Sequence, residues 1–186
     1  MSPDEVNPTR LTPADRAVVE AQLGRTPRGA VAVVWRCPCG KPGVVKTAPR
    51  LADGTPFPTT YYLTCPNAVR VCSTLEGESM MVRMAEKLRT DSEFAERYCE
   101  AHRSYLSDRE ELAVELGLEV PEIAGISAGG MPERVKCLHA LAAHALAVGP
   151  GVNPIGDEVV AAMGETWASP CLSHLAGFER ASGEVQ

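Results

Sequence analysis

Residues 133–147, ERVKCLHALAAHALA, constrain this chain more than any other stretch. Ala and Leu dominate the segment, and both favour helix. A helix that is apolar nearly all round belongs inside a core, not on a surface. Pro132 suits its first turn, and VGPGVNPIG (148–156) stops it. On a regular helix Cys137, Leu141, His144 and Val148 share one face, and His139 falls opposite with Ala142 and Leu146. Cys137 and His144 would then stand about 10.5 Å apart along the axis, too far for one zinc ion. Cys137 and His139 point to opposite sides unless the first turn is irregular. Such a helix supplies one ligand to a metal, or two with distortion.

The rest of the chain reads as one domain, residues 12–180, behind a polar, proline-punctuated flexible tail, residues 1–11. LTPADRAVVEAQLG is a helix with Thr12 as its cap, Pro13 in its first turn and Gly24 as its stop. β-branched and aromatic residues mark strands at 29–36, 43–49 and 58–64. After Cys65 the pattern turns helical, beginning near Asn67 and again at 79–89. Asp91 caps a long helix with the apolar stripe Phe94, Tyr98, His102, Tyr105, Leu112 and Leu116, which Gly117 ends. A loop covers 119–131, a helix follows at 157–166, and SPCLSHLAGFER forms a short last helix. The expected class is α+β: a small antiparallel three-stranded sheet packed against four to six helices.

No window reaches 18 consecutive apolar residues, and the first residues lack a basic patch followed by an apolar run. The expectation is a cytoplasmic protein with no membrane association. A net charge of −6 argues against nucleic acid as a partner. The charge is uneven, however. Residues 24–50 carry six basic side chains and no acidic one, whereas residues 76–122 carry thirteen acidic and six basic. The basic stretch either attracts a phosphate-bearing small molecule or a protein partner, or neutralises acidic helices of the same chain. GPGVNPIGDE could cradle an anion, but a tight connector explains it more simply. P-loop, G-x-G-x-x-G and H-E-x-x-H motifs are absent from the sequence.

Seven cysteines are many for a reducing compartment, and an odd number cannot all form disulfides. Cys37, Cys65, Cys137 and Cys171 are candidate ligands for zinc or an iron–sulfur cluster, with His139 as an alternative fourth donor. Proline follows Cys37 and Cys65 and holds the chain in a turn at each. In CPCG the spacer is one residue, so extended backbone would send Cys39 to the side opposite Cys37. Cys72 and Cys99 read as core or surface thiols, and His102 and His144 as structural. His174 could join Cys171, and a nucleophilic Cys137 could use His144 or His174 as base. Two other readings stand beside the metal. One is an enzyme for a small phosphorylated or acyl substrate, with Lys46 and Arg50 binding charge near Cys65 and His139. The other is a regulator whose acidic helices bind a partner.

GVVKTAPRLADGTPFPTTYYLTCP (43–66) and GGMPERVKCLHALAAHALAVGPGVNPIGDE (129–158) resemble a bacterial, mainly actinobacterial, family, domain of unknown function five hundred and one. The resemblance spans about residues 12–166 and takes in Cys37, Cys65, Cys137 and His139. It brings no activity. It implies a cytoplasmic protein whose gene lies near those for enolase, a septum-formation protein and an exopolyphosphatase-like phosphatase, hence a link to phosphate metabolism or division.

Overall fold

The computed structural model describes residues 9–168 and 170–171. Its first helix, α1 (Pro13–Leu23), begins where Thr12 accepts a hydrogen bond from the Asp15 amide and ends at Gly24 in the left-handed conformation. Three strands follow: β2 (Ala30–Arg36), β3 (Pro42–Thr47) and β4 (Tyr61–Leu63). They form an antiparallel sheet, and the two-residue β1 (Thr9–Arg10) adds an edge against β2. The end of the expected tail is therefore a strand, because the Val31 carbonyl of β2 accepts the Leu11 amide just beyond it.

Alternation divides the sheet into two apolar faces. Val45 joins Val33 and Ala30 under Val19 of α1. Val34, Val44, Tyr61 and Leu63 belong instead to the main core on the other side. That core is built by α2 (Pro66–Gly77), α3 (Met80–Thr90), α4 (Ser92–Glu115), α5 (Leu138–Val148) and α6 (Pro154–Met163). Asp91 caps α4 as expected, its carboxylate accepting from the Phe94 amide. Tyr98, Ala101, Tyr105 and Leu112 carry the stripe of α4 inward.

α5 lies between β4 and α6, with Leu138, Leu141, Ala142 and Ala143 fully buried. Its burial follows from its composition, but its start does not. The helix begins at Leu138, six residues beyond Pro132. The Arg134 amide donates to the Gly130 carbonyl and the Lys136 amide to the Gly129 carbonyl, so this segment turns back on itself. Gly130, at φ +96°, closes that turn where a Cβ would sit 2.6 Å from the Arg134 oxygen. Cys137 is consequently the extended residue before the helix, at φ −156° and ψ 109°. α6 also starts earlier than expected, because Asn153 accepts from the Gly156 amide and Pro154 takes the first position. The Gly151 amide binds Asp157, and the VGPGVNPIG loop is a capped connector. Among the described residues no helix is long and apolar enough to cross a membrane.

Candidate metal centre

Four cysteines gather where the β2–β3 hairpin, the β4–α2 junction and the end of the described chain meet. At the hairpin tip the Gly40 amide donates to the Cys37 carbonyl (2.8 Å) and the Cys37 amide to the Lys41 carbonyl (3.0 Å). Gly40, at φ +80°, permits this tight turn. The turn brings Cys39 round to the side of Cys37. Its sulfur lies 3.4 Å from Cys171 Sγ, and Cys37 Sγ lies 3.8 Å from the same atom. Cys65, fully buried, is the residue before α2. The sulfurs of Cys37, Cys65 and Cys171 all lie within 4.8 Å of one another.

These separations carry chemical information. Sulfurs at about 2.3 Å from one tetrahedral ion are necessarily about 3.8 Å apart. A disulfide would need about 2.05 Å, and all four residues are free thiols. Gln22 Nε2 stands 3.8 Å from Cys171 Sγ while donating to the Pro42 carbonyl, a polar neighbour of the kind that orients metal thiolates.

The thiols are electrically unequal. The Cys171 thiol, against the cost of burial and with help from the Ala68 and Asn67 amides, lowers Cys65 to about 6. Those amides are the free donors of the first turn of α2. Burial opposes ionisation of Cys39, but the Cys171 amide, the Cys37 thiol and the Lys41 amide outweigh it and hold it below the usual thiol range. Burial and Cys39 push Cys37 up to about 11. Cys65, then burial, keep Cys171 protonated.

Cys137 and His139, expected to meet Cys37 and Cys65, form a separate group with Glu76. Because Cys137 precedes the helix, its sulfur does not follow the helical wheel and lies 4.0 Å from His139 Nδ1. Glu76 Oε1 lies 3.2 Å from the same nitrogen and accepts from the Leu138 amide at 2.7 Å, so a carboxylate from α2 caps α5. His139, against burial and aided by the Ala140 amide, holds Cys137 below the usual thiol range. Cys137, and further on Glu76, raise His139 in spite of burial. The five expected ligands therefore fall into two groups: Cys37, Cys65 and Cys171 in one, Cys137 and His139 in the other. Sequence reasoning set Cys39 aside and passed over Glu76, an acid at a helix end with no local mark to distinguish it.

The remaining candidates have structural partners. Cys72 is a core thiol, pushed up to about 12 by burial. His102 Nδ1 pairs with Ser127 Oγ. Arg50 binds Glu122 and the Glu119 and Gly54 carbonyls, Arg36 binds Asp15, and Arg28 binds Asp53, so half of the basic stretch neutralises acids of this chain. Lys46 Nζ sits 6.0 Å from the centre of the Tyr61 ring. His174 and the rest of the expected last helix beyond Cys171 lie outside the described residues.

His144 is fully buried, stacked on Tyr61 and edge-on to Tyr105, and Asn153 Nδ2 is 3.1 Å from its Nδ1. Burial lowers it to about 4. An unfolded chain protonates this ring from about pH 6.5 downward and the folded one only near the lower value. Stability is therefore complete above about pH 6.5 and falls by up to roughly 3 kcal/mol as pH drops through that window. Urea titrations across this range should show the loss in the wild type and a flatter profile in His144→Gln. Equal slopes would remove His144 as its source.

Comparison with known proteins adds membership without activity. A family model described as "Protein of unknown function (DUF501)" matches residues 33–161. No curated protein and no solved structure matches the chain. The matched span includes Cys37, Cys39, Cys65, Glu76, Cys137 and His139, and ends before Cys171. The chain belongs to this family.

Proposed function

We propose that this member of the family is a zinc-binding protein whose ion is held by Cys37, Cys39, Cys65 and Cys171. The observation that carries the reading is the spacing of the sulfurs against the edge of about 3.8 Å that one tetrahedral ion requires. Cys37, Cys65 and Cys171 lie within 4.8 Å of one another, Cys171 lies 3.8 Å from Cys37 and 3.4 Å from Cys39, and Cys39 stands outside the close trio. In a two-iron cluster only the two cysteines on one iron stand this close and in a four-iron cluster none do, whereas Cys171 is this close to both Cys37 and Cys39. Closed coordination by four sulfurs is the structural type of zinc site, which supplies folding free energy and leaves no position for substrate. Here the ion would tie the hairpin tip and the start of α2 to the segment after α6, three regions far apart in sequence.

Elemental analysis of protein purified with and without oxygen tests the reading. Zinc is expected, with no visible absorbance. Cys39→Ser and Cys65→Ser lose this ion, whereas Cys99→Ser, at a thiol outside the group, retains it. Iron with a charge-transfer spectrum would replace zinc by a cluster. A folded, metal-free chain whose four thiols all alkylate would end the proposal.

A further inference from the structure

The second group is built differently from the first. Ser73 Oγ donates to the Val69 carbonyl (3.0 Å) and lies 3.3 Å from His139 Nε2. With its proton engaged, the hydroxyl accepts from Nε2–H, as the outer partner of a metal-bound histidine does. In the neutral ring with its proton on Nε2, Nδ1 presents its lone pair to a carboxylate oxygen at 3.2 Å and a sulfur at 4.0 Å. In the protonated ring, which Cys137 and Glu76 favour, Nδ1–H donates to Glu76 instead. Three potential ligand atoms, all within 4.8 Å of one another, need a cation among them, either a proton on His139 or a metal ion.

A proton at Nδ1 would serve one partner well and the other poorly. A cysteine–histidine nucleophile, moreover, places thiol and orienting carboxylate on opposite ring nitrogens. Here both face Nδ1. One zinc ion at about 2.0–2.3 Å from nitrogen, oxygen and sulfur sets N···O near 3.3 Å and N···S near 3.6 Å, within a few tenths of an ångström of what is found. The group is half-buried, and Cys137 and His139 line a cavity of about 400 Å³ with Leu23, Tyr61, Tyr62 and Val69.

We propose that Glu76, Cys137 and His139 form a second zinc site, whose fourth position faces this cavity and takes a small, largely apolar molecule through an oxygen or sulfur donor. Three protein ligands with one position left for another molecule is the pattern of catalytic, not structural, zinc. The site shares no ligand with the four-thiol centre and stands or falls separately from it.

Residue-resolved alkylation tests both at once. Purified full-length protein, freed of loosely held metal, is titrated with Zn²⁺ and labelled with iodoacetamide, and each cysteine is read by mass spectrometry. Cys137 labelling is expected to slow at least tenfold on zinc addition. His139→Ala and Glu76→Gln, the latter keeping an oxygen for the Leu138 amide, should erase that protection while Cys37, Cys39, Cys65 and Cys171 stay protected. Cys137 reacting equally fast with and without Zn²⁺ overturns the proposal, and fast, zinc-insensitive labelling would identify a bare thiolate. Protection that survives His139→Ala overturns it too. Benzohydroxamate, an apolar body with a zinc-binding head, should bind the zinc-loaded wild type and not His139→Ala. Absence of binding removes the fourth position. Failure of the four-thiol centre would show separately, as rapid labelling of its own cysteines in the presence of zinc.

Discussion

Stripping zinc from the four-thiol centre with a chelator should lower the melting temperature by roughly 8–16 °C. An ion held at about a thousand times its dissociation constant stabilises the folded state by about 4 kcal/mol. For a chain of this size each kcal/mol moves the midpoint by about 2–4 °C. The effect is large because the four cysteines come from three segments far apart in the chain. Cys39 is half-exposed beyond β2, and Cys171 lies past the last helical turn. Without the ion the thiols stay packed in or against the main core, but only weak S–H contacts join them to one another. Calorimetry with and without chelator measures the shift. In Cys65→Ser the chelator should produce no further shift from this site, and an unchanged wild-type midpoint would mean that no structural ion is present.

Gly156→Ala should cost up to about 2 kcal/mol, although alanine is the better helix former. A Cβ at position 156 would lie 2.3 Å from the Leu141 carbonyl oxygen and 2.7 Å from Ala145 Cβ. The obstacle is the backbone of α5, which cannot swing aside as a long side chain can, so α5 and α6 must separate. Overpacking of this kind costs about 1–3 kcal/mol or more, against a gain in helix propensity of about 1 kcal/mol. Gly77, the last residue of α2, is the control. Nothing lies within 4 Å of a Cβ there, and Gly77→Ala should be neutral or stabilising by up to about 1 kcal/mol. Denaturant midpoints of the two variants are expected to move in opposite directions. If Gly156→Ala is also stabilised, the close approach of α5 and α6 is not as described.

Features decided by neighbouring residues were legible in the sequence. Thr12 and Asp91 bind amides three residues on, Gly24 stops α1, and β-branched runs made the strands. The α+β class and the burial of α5 followed from the same local rules. Features decided across the chain were not legible. α5 starts at Leu138 because Glu76, sixty-two residues earlier, caps it and because two glycines fold residues 130–136 back. A helical wheel drawn from Pro132 therefore set Cys137 and His139 on opposite sides, when they share a group. Cys39 was discounted by assuming extended backbone, whereas the bond from the Gly40 amide to the Cys37 carbonyl makes a turn. The glycine in CPCG was the available sign. The candidate ligands were mostly named in advance, but their partition into two groups depended on contacts that no local pattern encodes.

X-ray absorption at the zinc edge tests the central claim most directly. The Cys137→Ser variant, in which the second group is weakened, isolates the first. Four sulfur scatterers at about 2.3 Å, falling in number when Cys39 is also replaced, is the result expected. A shell of nitrogen and oxygen, or a sulfur count indifferent to Cys39, would contradict it.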